Sequence, residues 1–120
     1  MNDPNQFAAR YVAAWNEPDP NLRSKAIAEI FTDRARYHNV RTAYQGLDAI
    51  ESAVKASHER WVRQGYIFRA CGDAVSHHGG MRFTWDMMPA AGGEVTSIGT
   101  EFVLLGEDNR ILYDYQFIDK

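Results

Sequence analysis

Met81-Arg82-Phe83-Thr84-Trp85-Asp86-Met87-Met88 decides the architecture. Met81, Phe83, Trp85 and Met87 are large and apolar, while Arg82, Thr84 and Asp86 between them are polar. That period of two marks an extended chain with one buried face. Working outward, the same period recurs on both sides. Upstream, Tyr66 to Ser76 reads as a strand that joins this one through His77-His78-Gly79-Gly80. Downstream, Pro89-Ala90-Ala91-Gly92-Gly93 reads as a hairpin turn before a strand from Val95 to Leu105. Gly106-Glu107-Asp108-Asn109 marks another hairpin, and Ile111 to Ile118 follows it. There Ile111, Tyr113, Tyr115 and Phe117 alternate with Leu112, Asp114, Gln116 and Ile118. The second set is itself partly apolar, which predicts a last strand covered on both sides.

Before Gln64-Gly65 the period is helical. Asp3-Pro4 supplies a capping side chain and a proline at the first helical position, and Phe7, Ala8, Tyr11, Val12 and Trp15 follow at helical spacing. Glu17-Pro18-Asp19-Pro20 ends that helix near Asn16. A second helix is predicted from Leu22 to Phe31, with Leu22, Ala26, Ile27, Ile30 and Phe31 on one face. A short strand follows over Ala35 to Asn39, then a loop to Gly46. A third helix runs from Leu47 to about Val62, with an apolar stripe of Leu47, Ile50, Val54 and Trp61. Three helices followed by a meander of antiparallel strands predict an α+β domain with the helices packed on one face of a curved sheet.

Composition bounds the function. At 120 residues and 13.7 kDa, the chain is expected to form one domain, 1–120, able to bury a single core without staples. A net charge of −3 gives no basic footprint for nucleic acid. Residues 1–64 carry 9 basic and 8 acidic side chains, and residues 65–120 carry 4 and 8, which weighs against anionic ligands near the strands. A single cysteine, Cys71, forbids an intrachain disulfide and suits a reducing compartment. The polar start and the lack of a long apolar run predict a cytoplasmic protein with no membrane partner. No phosphate loop, nucleophile elbow or dinucleotide fingerprint occurs, so no cofactor is expected. Fifteen of the residues are aromatic, enough to wall a cavity as well as fill a core.

Tyr11-Val-Ala-Ala-Trp-Asn16, the helix end Ile30-Phe-Thr-Asp33, Ala35-Arg-Tyr-His-Asn39, Gly46-Leu-Asp-Ala-Ile50 and the closing meander together resemble the SnoaL-like branch of the nuclear transport factor 2-like superfamily. The resemblance runs from Phe7 to Asp119. It implies a cone-shaped roll, three N-terminal helices on a strongly curved, mainly antiparallel sheet, enclosing an apolar cavity open at one end. It also implies a small apolar ligand and a homodimer paired through the sheet. Members include ketosteroid isomerases, polyketide cyclases, dehydratases and noncatalytic binding domains, so the fold implies no particular reaction.

The isomerases of this family permit a residue-level comparison. Arg10-Tyr11 matches their Arg-Tyr pair on the first helix, whose tyrosine donates to a developing oxyanion. Asn39 stands where they keep an aspartate base, and a carboxamide cannot take up and return a proton. Thr100 stands where they keep a buried carboxylic acid, with Glu101 one residue later. The resemblance therefore implies Tyr11 as hydrogen-bond donor, Asn39 polarising the ligand, and Glu101 or His78 moving protons. Trp15, Tyr37, Phe68, Trp85, Phe102, Tyr113 and Phe117 would shape the pocket. Cofactor-free isomerisation, cyclisation or dehydration is open to such a site, and a noncatalytic binding or dimerisation module is the alternative.

Each residue has a plainer reading. Tyr11 and Trp15, one turn apart, could be ordinary core. His38 alternates with Tyr37 and Asn39 and is expected on the opposite face. Adjacent histidines on an extended chain, such as His77 and His78, cannot easily hold one metal ion, and no metal site is expected. Glu101 and Asp114 are expected at solvent or a dimer interface, with an acid–base role open if either is buried. Arg82 and Asp86 read as surface, and Cys71 as a small buried residue.

Overall fold

The computed structural model describes residues 3–120. Two helices open the chain, α1 (Pro4–Asn16) and α2 (Pro20–Ile30). Both starts follow the same chemistry. The side chain of Asp3 accepts from Asn5 N at 2.9 Å, that of Asp19 accepts from Asn21 N and Leu22 N, and each is followed by proline. α2 thus begins two residues before Leu22, which is 54% exposed and not part of the buried stripe. It passes without a loop into β1 (Phe31–His38), because Phe31 already has extended backbone angles. The strand therefore begins four residues earlier than the alternation suggests.

β2 (Ala43–Gln45) and α3 (Leu47–Arg60) follow, then a single 3₁₀ turn at Val62–Gln64. The expected long strand from Tyr66 to Ser76 is two strands, β3 (Tyr66–Ala70) and β4 (Val75–His77). Gly72, at a φ of +76°, and Asp73 break it. Both Asp73 carboxylate oxygens are taken by Thr84, from its backbone N and its hydroxyl. β5 (Gly80–Pro89), β6 (Ser97–Leu105) and β7 (Ile111–Ile118) complete a seven-stranded sheet in the order β2-β1-β7-β6-β5-β3, with β4 also on β5. All pairings are antiparallel except β1 with β7. The helices cover one face of this curved, unclosed sheet, as the strand pattern predicts.

Two irregularities decide which side chains face inward. Between β6 and β7, Leu104 pairs with Tyr113 while Leu105 pairs with Ile111, so Leu112 is an extra residue. Ile111 and Asp114 consequently both face the helices, although strict alternation puts them on opposite faces. β1 has a similar shift between Phe31 and Arg36, after which Ala35 and Tyr37 are buried. The core lies between α1, α3 and the inner face, with Phe83, Ile50 and Val103 almost wholly enclosed. β3 is an edge strand, and α1 ties it down. The Asn16 amide donates to Phe68 O at 2.7 Å and its carbonyl accepts from Phe68 N at 2.9 Å, satisfying edge groups as another strand would. Cys71 lies in the β3–β4 connection, where its backbone N–H still donates to Thr84 O of β5 at 3.1 Å, and it is exposed rather than buried as its residue type suggests.

Candidate functional site

Tyr11, near the middle of α1, projects onto the inner face of the sheet. Its Oη lies 2.5 Å from Asp114 Oδ2 on β7 and 3.0 Å from Glu101 Oε1 on β6. Trp85 on β5 donates its indole N–H to Glu101 Oε2 at 2.7 Å. Four side chains from four elements thus meet at one point. Register accounts for it: Val103 pairs with Asp114 and Glu101 with Gln116, so the two acids are diagonal neighbours on the inner face. Trp85 reaches Glu101 by lying across Gly99, where any Cβ would sit 2.2 Å from the indole.

Both acids have no solvent exposure. Burial is the leading cause that raises each, and it pushes Asp114 up to about 6. Glu101 is raised well above the carboxylate range, first by burial and then by the Asp114 charge beside it. Asp114 Oδ1 has no hydrogen-bond partner, in keeping with that desolvation. Burial and the two acids likewise hold Tyr11 well above an ordinary phenol, so it is a proton donor rather than an anion.

Proton counting gives the direction of the bonds. One phenolic proton cannot serve two carboxylates, so a second proton must sit between the acids and Tyr11. Glu101 is the better holder, being the acid raised further. With that proton on Glu101, the Trp85 N–H donates to Glu101 Oε2, the Tyr11 hydroxyl donates to Asp114 Oδ2, and the carboxyl proton lies among Glu101, Tyr11 and Asp114. Among the described residues, no lysine or arginine side chain is hydrogen-bonded or ion-paired with either acid.

Over this array opens a cavity of about 690 Å³, within the usual range for small-molecule sites. Tyr11, Trp15, Tyr37, Asn39, Phe68 and Trp85 line it. The rings are interlocked: Trp15 and Tyr37 centroids are 5.5 Å apart, Tyr37 stacks on Tyr44 at 5.7 Å, and Phe68 meets Trp85 edge-on at 5.5 Å. Tyr44, Trp61, Gln116 and Ile118 also line the cavity, and nothing in their local sequence marks them as ligand contacts. Gln116 and Ile118 were legible as the partly apolar second face of the last strand.

Other expected site residues lie elsewhere. Thr100, Phe102, Tyr113 and Phe117 do not line the cavity. They occupy the outer face of the sheet, because Glu101 and Asp114 take the inward positions of β6 and β7. Thr100 is bonded there to Asp119 Oδ2 at 2.6 Å. Solvent and dimer interface are both wrong locations for Glu101 and Asp114 in this fold, since they are the most enclosed polar groups on the sheet. The Asn39 carboxamide oxygen accepts from Arg41 N and Thr42 N at 2.9 Å each, which commits it to the turn. His78 is exposed at the β4–β5 turn beside His77, in a separate hollow with Gly106 and Asn109, and does not reach the acids. His38 faces outward as expected, stacked on Tyr115 with centroids 4.2 Å apart.

Comparison with known proteins agrees with this geometry. A family profile described as the SnoaL-like domain matches residues 8–113. A SnoaL-like family protein of Agrobacterium tumefaciens, described as a proposed isomerase, is 27% identical over 100% of both chains, with a TM-score of 0.89. An NTF2-like protein of unknown function from Exiguobacterium is 20% identical over 95% of this chain and 98% of that one, at a TM-score of 0.74. A protein of Sinorhizobium meliloti described as a proposed polyketide cyclase is 14% identical over 93% and 94%, at 0.71. No curated protein matches the sequence significantly. With the profile running from within α1 through the sheet into its last strand, the chain belongs to the SnoaL-like family.

Proposed function

We propose that the protein binds a flat, apolar, oxygen-bearing small molecule in the cavity and moves protons on it without a cofactor, as an isomerase, cyclase or dehydratase does. One observation carries the reading: a phenol on the cavity wall backed by two wholly buried acids that must share a proton. Buried titratable groups displaced from their ordinary range and gathered under a cavity favour a proton-handling site. The relatives described as a proposed isomerase and a proposed polyketide cyclase support the same class.

In this reading the ligand's carbonyl oxygen approaches Tyr11. As negative charge grows on that oxygen, the Tyr11 hydroxyl turns to it from Asp114, and the Glu101 proton turns to Asp114 in its place. The array stays fully bonded throughout and needs no water at that moment. A proton leaving carbon goes to solvent, since Asn39 cannot accept it. Trp85 is a positioning residue that holds Glu101 in line.

Deuterium exchange at the α-carbon of 2-tetralone in D₂O, followed by NMR, tests this. The wild type should accelerate exchange, and Tyr11→Phe should lose about 100-fold of that acceleration, the scale of one positioned donor. Binding of the ketone with no acceleration would instead favour the noncatalytic module, a reading that the commitment of Asn39 to its turn supports.

We further propose a cytoplasmic homodimer formed through the outer face of the sheet, with neither nucleic acid nor membrane as partner. Phe102, Leu104, Tyr113, Tyr115 and Phe117 stand exposed on that face, Phe117 by 55%. No described helix is long and apolar enough to cross a membrane. Sedimentation at micromolar concentration should show twice 13.7 kDa, falling to the monomer in Phe117→Glu.

A further inference from the structure

The full charges on the cavity's lining are of one sign. Two of its lining residues carry full charge, Arg41 in the β1–β2 turn and Arg60 at the end of α3, and both are exposed. Among the described residues, no aspartate or glutamate lines it. Among the described residues, neither guanidinium forms an ion pair, whereas Arg69 and Arg110 are each bridged to an aspartate. Arg60 is held in place by its neighbour, with its Cζ 5.0 Å from the centre of the Trp61 ring, itself part of the lining. The protein as a whole carries −3, so this cationic rim runs against the general charge. Behind Tyr11 the buried acids hold negative charge and would repel an anion.

We infer that the ligand is an organic acid, a flat apolar body with one carboxylate, bound with the carboxylate at Arg41 and Arg60 and its ring system running inward to Tyr11. The inference rests on the cavity being the ligand site, and it names the chemical class of that ligand and its direction of entry. Guanidinium groups suit a carboxylate because their paired N–H donors match its two oxygens. The buried acids fix the orientation, since the reverse pose would bring like charges together. Aromatic walls between the two ends supply affinity without regard to charge.

Matched probes test it: 2-naphthoate and 2-naphthamide have the same body and differ in charge. Quenching of tryptophan fluorescence, with Trp15, Trp61 and Trp85 all at the cavity, reads their binding. Naphthoate should bind about tenfold more tightly at low salt, the preference falling as salt rises. Arg41→Gln with Arg60→Gln should reduce it to about onefold, with the loss falling mainly on naphthoate. Arg41→Glu should invert it. These residues are exposed, so the variants are expected to fold. Equal affinity for the two probes in the wild type, or a preference that survives both substitutions, would overturn the acid assignment and leave the cavity reading intact. No saturable binding of either probe would overturn both.

Discussion

Replacing Asp114 by asparagine removes the titrating member of the buried pair while keeping its shape, and this converts the site's electrostatics into a stability measurement. In the folded protein Asp114 is held up to about 6 from an ordinary 3.8. The folded state therefore holds that proton more tightly than the unfolded chain does. The stabilising effect is complete below the unfolded value and is lost as pH rises through about 6. The gap corresponds to about 3 kcal/mol. Glu101 is displaced in the same direction, and part of its displacement comes from the Asp114 charge, so the substitution relieves both. Exposed acids such as Asp73 are held below their ordinary range and slope the opposite way, but they are common to both proteins and cancel in the difference. Urea denaturation of wild type and Asp114→Asn at pH 4, 5.5 and 7 is the assay. Relative to wild type, the variant should gain about 2–3 kcal/mol between pH 4 and 7, a midpoint change of about 1–2 M for a domain of this size. An offset that stays constant over that window, or one that moves in favour of the wild type, would refute the placement of a desolvated acid pair under Tyr11.

Two further substitutions examine how the site is held. Gly99→Ala would put a Cβ into the Trp85 ring; it should cost about 1–3 kcal/mol and change the tryptophan emission as the indole leaves Glu101. Thermal unfolding with fluorescence detection reads both. Asn16→Ala removes the paired bonds to Phe68 and should cost about 1–3 kcal/mol. Asn16→Asp should fail to restore it in a thermal melt, because a carboxylate cannot donate to Phe68 O.

Much of the fold is legible from the sequence because its signals are local. The caps at Asp3 and Asp19, the proline breaks after Asn16, and the alternation of Met81 to Met87 each act within a few residues and survive into the structure. The site is less legible because facing is a nonlocal property. Leu112 looks like any strand residue, yet as the extra residue opposite β6 it puts Ile111 and Asp114 on one face. Glu101 is misread for a related reason. Its strand neighbours Ile98, Phe102 and Leu104 are apolar, and the sequence offers no sign that they form an outer patch while the acid goes inside. The family comparison places a buried acid at Thr100; the register places it one residue later, at Glu101. Arg41 and Arg60 lie in a turn and at a helix end, where charged residues usually mean solvent, and only the closure of the fold brings them to one rim.

Burying two acids is costly, and the form of the cost separates a functional arrangement from a structural one. Acids that serve to hold a fold together are ionised, matched by a cation, and held below their ordinary range, as Asp108 is by Arg110. Glu101 and Asp114 are the reverse: displaced upward, joined to a phenol and an indole rather than to cations, and destabilising as pH rises toward neutrality. Asp114 alone takes about 3 kcal/mol at neutral pH from a domain whose total stability is on the order of 5–15 kcal/mol, and Glu101 adds to the loss in the same direction. Apolar residues of similar volume would fill the same space without that loss. The surrounding sequence is nonetheless arranged to keep the pair in register, with Gly99 cleared for the Trp85 ring and Leu112 inserted so that Asp114 turns inward. Supports at two separate positions, each weakening regular sheet structure locally, are hard to account for by packing. They are accounted for if the shared proton at Tyr11 is what the fold is built to present to the cavity.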